Sequence, residues 1–347
     1  MANGIHKRMN SNFTAASLSA RTFPAMDTDS AKSVASIWIG CVLLGFLVGL
    51  PWLTNLLDAH YYLDLVRRTL ILSIAASSLN LLVGYGGMVA LGHAGFMGVG
   101  AYTVAALTHA GFNSGWWLFG TATVVSAFFA AVIGAIALRT RAVHFIMVTL
   151  ACGQLLYYVG VSLRIYGSDD GYNLPAPLDL GFGLTTGDNA AFYWLVLGAA
   201  LAIFAAIFHL IDSRFGIALR AVKDNEVRMT ALGYPVQKIR LRTFILAGAL
   251  AGLSGAFLIA HNNFVTPGVM HWTQSANFIA MLVLGGLGYR WGGVVGVVVW
   301  LFLEEFLRQI TTHWHWPLGL ILIAIVLIAP RGLCSLIPST LRSRNHG

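Results

Sequence analysis

Ionisable and amide side chains are scarce in the apolar parts of this chain, so the few found there carry most of its chemical information. Glu304 and Glu305 lie inside an apolar run, with Arg308 four residues after Glu304. A charge in hydrocarbon costs at least about 2.5–3.5 kcal/mol on insertion scales. An i, i+4 Glu–Arg pair on one helix face offsets part of that cost. Such carboxylates either face a polar pathway or sit paired near a membrane interface. His93 lies in the stretch GYGGMVALGHAGFMGVG, residues 84–100, where seven glycines disfavour a regular helix, at roughly 1 kcal/mol each relative to alanine. In a membrane this composition suits an interrupted segment lining a cavity, or close helix–helix contact. The first reading puts Gly92, His93 and Phe96 on a translocation path; the second buries His93 as a satisfied core histidine. Asn80, with Ser77 and Ser78, and Asn277, with Gln274 and Ser275, are polar groups within apolar runs. They either bridge helices or join the same path.

None of these groups forms a catalytic set. There is no nucleophile–base arrangement, and Cys41, Cys152 and Cys334 lack metal-ligand spacing. The glycine-rich stretch is followed by no Gly-Lys-Ser/Thr, so it is not a phosphate loop. Ser168-Asp169-Asp170-Gly171 lacks the alternating ligands of a calcium loop. His313 and His315 interleave with Trp314 and Trp316 in the manner of an interfacial aromatic belt. No catalytic residue, metal ligand or directly bound cofactor is therefore expected. The expected chemistry is binding and passage.

The elements that position these groups follow from composition. The chain is 57% hydrophobic and 10% charged, with a mean hydropathy of +0.75, whereas soluble domains carry about 25% charge. This excludes a soluble enzyme and predicts an all-α, polytopic transmembrane helical bundle. The pI near 9.6 comes from loops between spans rather than from an aromatic-interleaved platform, which argues against nucleic acid. Apolar runs of membrane-spanning length predict ten spans: 34–53, 66–83, 84–108, 116–138, 143–163, 190–211, 243–261, 274–287, 292–311 and 316–329. Residues 1–33 read as a disordered tail and 333–347 as a second tail. Ten spans put both termini on one side, together with Arg139, Arg141, Arg290, Arg331 and the basic 212–242 stretch. The loop at 164–188, with four aspartates against one arginine, falls on the other side. Lysine and arginine mark the cytoplasmic face. Arg67 and Arg68 depart from this pattern at the outer end of the second span, where they are expected to snorkel.

The stretch DSRFGIALRAVKDNEVRMTALGYPVQKIRLR, residues 212–242, is the longest polar segment between spans. Residues 215–222 predict one short helix. Asp224 and Asn225 predict an N-cap, Glu226 suits the first turn, Gly233 suits a left-handed C-terminal position and Pro235 forbids continuation. The outcome is a second helix of about eight residues, roughly 12 Å long. It is too short to be stable by itself in water, so it needs something packed on it.

Three segments resemble the membrane subunits of ABC importers, in particular the branched-chain amino acid permeases of the LivH/LivM class. They are SLNLLVGYGGMVALGHAGFMGVGAY at 78–102, RFGIALRAVKDNEVRMTALGYPVQKIRLRTFILAGALAGLSGAFL at 214–258, and the Gly-Gly-Leu-Gly turn at 285–288 with its Gly-Gly-Val-Val-Gly continuation. The long acidic loop favours the M-type subunit. The resemblance implies that 34–332 is a permease domain in a bacterial inner membrane. It implies as partners a second, LivH-like permease subunit, two ABC ATPase subunits that use the ATP, and a periplasmic binding protein. It also implies that 224–233 is a coupling helix docking on an ATPase through Asp224, Asn225, Glu226, Ala231, Leu232 and Gly233, with Arg228 and Met229 standing where small residues are usual. The implied cargo is a branched-chain or related amino acid, with urea or a short amide as the alternative on the same scaffold. The rival from another class is an ion-coupled secondary transporter, for which Glu304, Glu305 and Arg308 would be the ion-coupling cluster.

Overall fold

The computed structural model describes residues 45, 47–52, 54, 60–140, 143–181 and 183–335. The tail at 1–33, most of the predicted first span, Cys41, Arg141 and residues 336–347 lie outside the described residues. The chain divides into two compact units, Met1–Phe46 and Leu47–Gly347, and the helical bundle lies in the second.

Each of the second to tenth predicted spans corresponds to a helix. They are α1 (His60–Asn80, continued as a π-helix over Leu81–Tyr85), α2 (His93–His109), α3 (Gly115–Ala137), α4 (Val143–Ser162) and α5 (Asn189–Asp212). Two short helices follow, α6 (Arg214–Asp224) and α7 (Glu226–Ala231), and then α8 (Val236–Asn262), α9 (Trp272–Gly285), α10 (Gly292–Ile310) and α11 (His315–Ile328). Among the described residues, six stretches are long and apolar enough to cross a membrane: Tyr61–Tyr85, Gly115–Ala137, Val143–Ser162, Asn189–Asp212, Val236–Asn262 and His315–Ser335. The other three helices that correspond to predicted spans, α2, α9 and α10, fall short for identifiable reasons. At 1.5 Å per residue α2 is about 26 Å long and α9 about 21 Å, against a hydrocarbon core of about 30 Å. Helix α10 carries Glu304, Glu305 and Arg308.

Two predicted boundaries are corrected, and the acidic loop gains structure. The third span does not begin at Gly84. The backbone leaves α1 at Gly86 and does not re-enter a helix until His93. Glycine-rich backbone in between has the freedom to do this, and Gly87 uses it with φ at +67°. The seventh span begins at Val236 rather than 243, so Lys238, Arg240 and Arg242 ride on α8 instead of lying in a loop. The acidic loop carries short strands: β1 (Tyr172–Asn173) pairs antiparallel with β4 (Phe264–Val265), and β2 (Asp179–Gly181) pairs with β3 (Leu184–Thr185).

Burial separates centre from periphery. The apolar stretches of α1 and α8 are 83% and 67% buried, whereas those of α3, α4 and α11 are 28%, 28% and 22% buried. Helices α1 and α8 therefore form the core together with α2, which is buried over most of its length and wedged against α8. The wedge needs glycine. A Cβ on Gly100 would stand 1.9 Å from the Gly252 carbonyl oxygen, and one on Gly255 would stand 1.8 Å from that of Met97. Small residues let backbones meet where lipid supplies no hydrophobic drive between helices. Outward-facing Val124, Leu155 and Leu327 are exposed, and hydrocarbon is the surrounding that suits them.

Candidate functional site

The polar segment folds as two helices with defined ends. Ser213 caps α6, its hydroxyl accepting from the Gly216 N–H. Helix α6 runs through Asp224, so Asp224 closes that helix rather than opening the next. Asn225 alone caps α7, accepting from the Arg228 N–H at 2.9 Å. Helix α7 has six residues instead of eight: Asn225 serves as its cap because α6 runs through Asp224, and Leu232 and Gly233 lie in the turn that follows Ala231. Gly233 adopts φ +82°, where L side chains are strained. The Tyr234 N–H reaches back to the Met229 carbonyl at 3.1 Å.

One side of α7 is fastened to the protein. Met229 is buried. Glu226 and Arg240 of α8 form a two-pronged ion pair, both contacts at 3.0 Å, the arrangement a guanidinium fork favours. The other side is open. Val227 is 80% exposed and Leu232 66%, with Tyr234 beside them, and Asp224, Asn225, Ala231 and Gly233 are also exposed.

This segment is tied to the end of α1. The Lys223 ammonium donates to the Gly84 carbonyl at 2.7 Å. The π-helical turn ends there, and helix ends leave carbonyls in need of donors. Asn80, one turn earlier, clamps the turn between α9 and α10. Its Nδ2 donates to the Tyr289 carbonyl at 2.8 Å and its Oδ1 accepts from the Gly288 N–H at 3.0 Å. Arg290 on that turn pairs with Asp212 at the end of α5. Asn80 thus bridges elements.

The glycine-rich break lies inside the bundle. His93 is 1% exposed, and its Nε2 lies 2.9 Å from the Ser78 hydroxyl. Ser275 of α9 accepts from the Ala94 N–H at 2.9 Å. Phe96 is buried edge-on to Phe244 at 5.5 Å. A Cβ on Gly92 would stand 2.0 Å from the Thr149 carbonyl oxygen, so Gly92 marks a close approach to α4.

A cavity of about 620 Å³ opens between α1, α9, α10 and α11, with Asn277 and Glu304 on its wall beside Gln274, Trp300, Arg68 and Arg308. Glu304 is buried, and its Oε1 receives Arg308 at 2.7 Å and Arg68 of α1 at 3.4 Å. The expected Glu304–Arg308 pair is present, and Arg68 adds a second cation. Arg68 does not snorkel free, and Arg67 is buried, bonded to Asp64 and to Asn189 at 3.1 Å. Glu305 does not line this cavity. The structure thus brings Asn277 and Glu304 together and leaves Asn80, Gly92, His93 and Phe96 in packing and bridging positions. Arg68 is the site residue that sequence reasoning missed. The signal for it was a cation left unexplained in one span and a carboxylate left unexplained in another.

A buried helical centre, an apolar periphery and a cavity with polar groups between helices define a multi-pass membrane protein. Residues 61–329 match the family described as branched-chain amino acid transport system / permease component, and the chain belongs to that family. It is similar to the high-affinity branched-chain amino acid transport system permease protein LivM of Escherichia coli K12, 26% identical over 93% of this chain and 80% of that protein. The LivM protein of Salmonella typhimurium is also 26% identical, over 89% of this chain and 77% of its own length. The corresponding LivH protein of Escherichia coli K12 is 24% identical over 75% of this chain. These two LivM proteins match more of the chain than that LivH protein does. No solved structure matches it significantly.

Proposed function

We propose that this chain is the M-type permease subunit of an ATP-driven importer of branched-chain or related amino acids, coupled to its ATPase through α7. In this reading ten spans, the first at 34–53, place both termini in the cytoplasm of a bacterial inner-membrane protein. The basic residues concentrated around α6 and α7 support that orientation. A LivH-like subunit pairs with the chain, two ATPase subunits dock on the cytoplasmic face and burn the ATP, and a periplasmic binding protein delivers cargo on the acidic side. The cargo path runs by the cavity at Asn277 and Glu304.

The observation that carries this reading is the state of α7. The helix is capped at both ends and fastened on one side, and it presents Val227, Leu232 and Tyr234 to solvent on the other. An exposed apolar face on so short a helix suits a partner surface. Movement imposed on it reaches α1 through Lys223 and the α9–α10 turn through Asn80, a rigid-body transmission. Replacing Val227 and Leu232 together with aspartate is expected to abolish co-purification with the ATPase while the chain stays in the membrane. A complex that survives the change rules out docking through α7. Ion-coupled secondary transport has weaker support, because Glu304, the carboxylate on the cavity wall, is already paired with two arginines.

A further inference from the structure

The charge count in the cavity runs against the sequence expectation, which looked to its carboxylate. Two guanidiniums meet one carboxylate on the cavity wall, and the neighbouring Glu305 lies outside the lining. Both arginines approach the same oxygen of Glu304 through a single nitrogen, Nη2. A guanidinium has five N–H donors in a planar fork suited to a carboxylate. The side chains of Arg68 and Arg308 are 40% and 46% exposed, while that of Glu304 is 8% exposed. The cations thus have the open position and the anion the closed one. Arg308 also lies over the Trp314 ring at 4.9 Å, which holds the plane of its fork against the wall. The rest of the lining combines the amides of Gln274 and Asn277 with apolar Leu72, Met281 and Leu318.

We propose that this cavity is a binding subsite for the carboxylate of an amino acid with an aliphatic side chain. Arg68 and Arg308 hold the carboxylate. Glu304 keeps the two arginines together and stands beside the ammonium group of the ligand. The apolar wall takes the side chain. The subsite rests on the import reading above and deepens it: it favours a carboxylate-bearing cargo over urea or a neutral amide.

The test uses the complete complex of both permease subunits, both ATPases and the binding protein, in proteoliposomes with L-leucine as the probe. Arg68→Gln and Arg308→Gln are each expected to lower ATP-driven uptake per assembled complex at least about tenfold, the loss of one charge-assisted hydrogen bond. The double lysine variant, R68K with R308K, recovers part of the uptake. A second measurement leaves the arginines intact. Thr273 lines the cavity, and a Thr273→Cys chain, with Cys41, Cys152 and Cys334 changed to Ser, is labelled with maleimide. L-leucine is expected to slow labelling and L-leucinamide is not. Wild-type uptake in the glutamine variants, or equal labelling with both probes, overturns the subsite and leaves the import reading standing. A wild-type complex that moves urea or acetamide under ATP but not leucine overturns the amino-acid reading and the subsite with it.

Discussion

The two ends of α1 are held in different ways. At its C-terminal end, side chains bond to backbone across gaps with no slack: Lys223 to Gly84, and Asn80 to Gly288 and Tyr289. Toward its N-terminal end, Arg68 bonds to another side chain beside open space. From Arg68 to Gly84 is about 24 Å along the helix at 1.5 Å per residue. Bonds to backbone move whole elements, whereas ion pairs between flexible side chains exchange partners without moving the helices that bear them. The first end is built to transmit a displacement and the second to accommodate a ligand.

Breaking the tight end is expected to have the largest effect. A Cβ at Gly84 would stand 2.2 Å from the Asn80 Oδ1 and 2.6 Å from the Gly288 nitrogen. Gly84→Ala should therefore cost about 3 kcal/mol, the upper range for overpacking, seen as a lowered thermal unfolding midpoint in detergent. An unchanged midpoint would mean that this junction has slack. Lys223→Met acts more gently on the same end. It removes one hydrogen bond, about 1 kcal/mol in stability. It should leave ATPase co-purification intact while lowering the cargo moved per ATP. Full coupling in that variant would exclude the Lys223–Gly84 bond from the transmission route. Glu304→Gln probes the loose end and should affect stability least, by less than about 1 kcal/mol, because solvent screens partners that are 40% and 46% exposed. A loss as large as that of Gly84→Ala would make the ion cluster a structural pin and erase the contrast between the ends.

Much of the scaffold was legible in the chain. The membrane class followed from composition, and nine span positions agree with helices to within a few residues at most ends. The caps Asn225 and Gly233 were readable because capping is decided within three or four residues. Helix α7 is shorter than expected at both ends: Asp224 is acceptable both as the last residue of one helix and as the cap of the next, and Leu232 and Gly233 belong to the closing turn. The start of α8 was misread for a related reason. Hydropathy marks where lysine and arginine begin, yet a helix continues through them while Arg240 finds Glu226. The glycines at 84–100 signalled an interruption, and the sequence left open whether His93 faced a path or a packed interior; the fold buries it against Ser78.

Hydropathy, glycine density and capping residues were enough, read along the chain, to determine a helical membrane bundle, the place where its second span breaks and a short polar helix between two long ones. These are local properties, set by a residue and its near neighbours. Only the tertiary structure decided that Arg68 meets Glu304 across 236 residues, that Lys223 meets Gly84 across 139, and that Asn80 grips a turn 208 residues away. A charged or amide side chain in an apolar span must find a partner, and which partner it finds depends on how the helices rotate and pack.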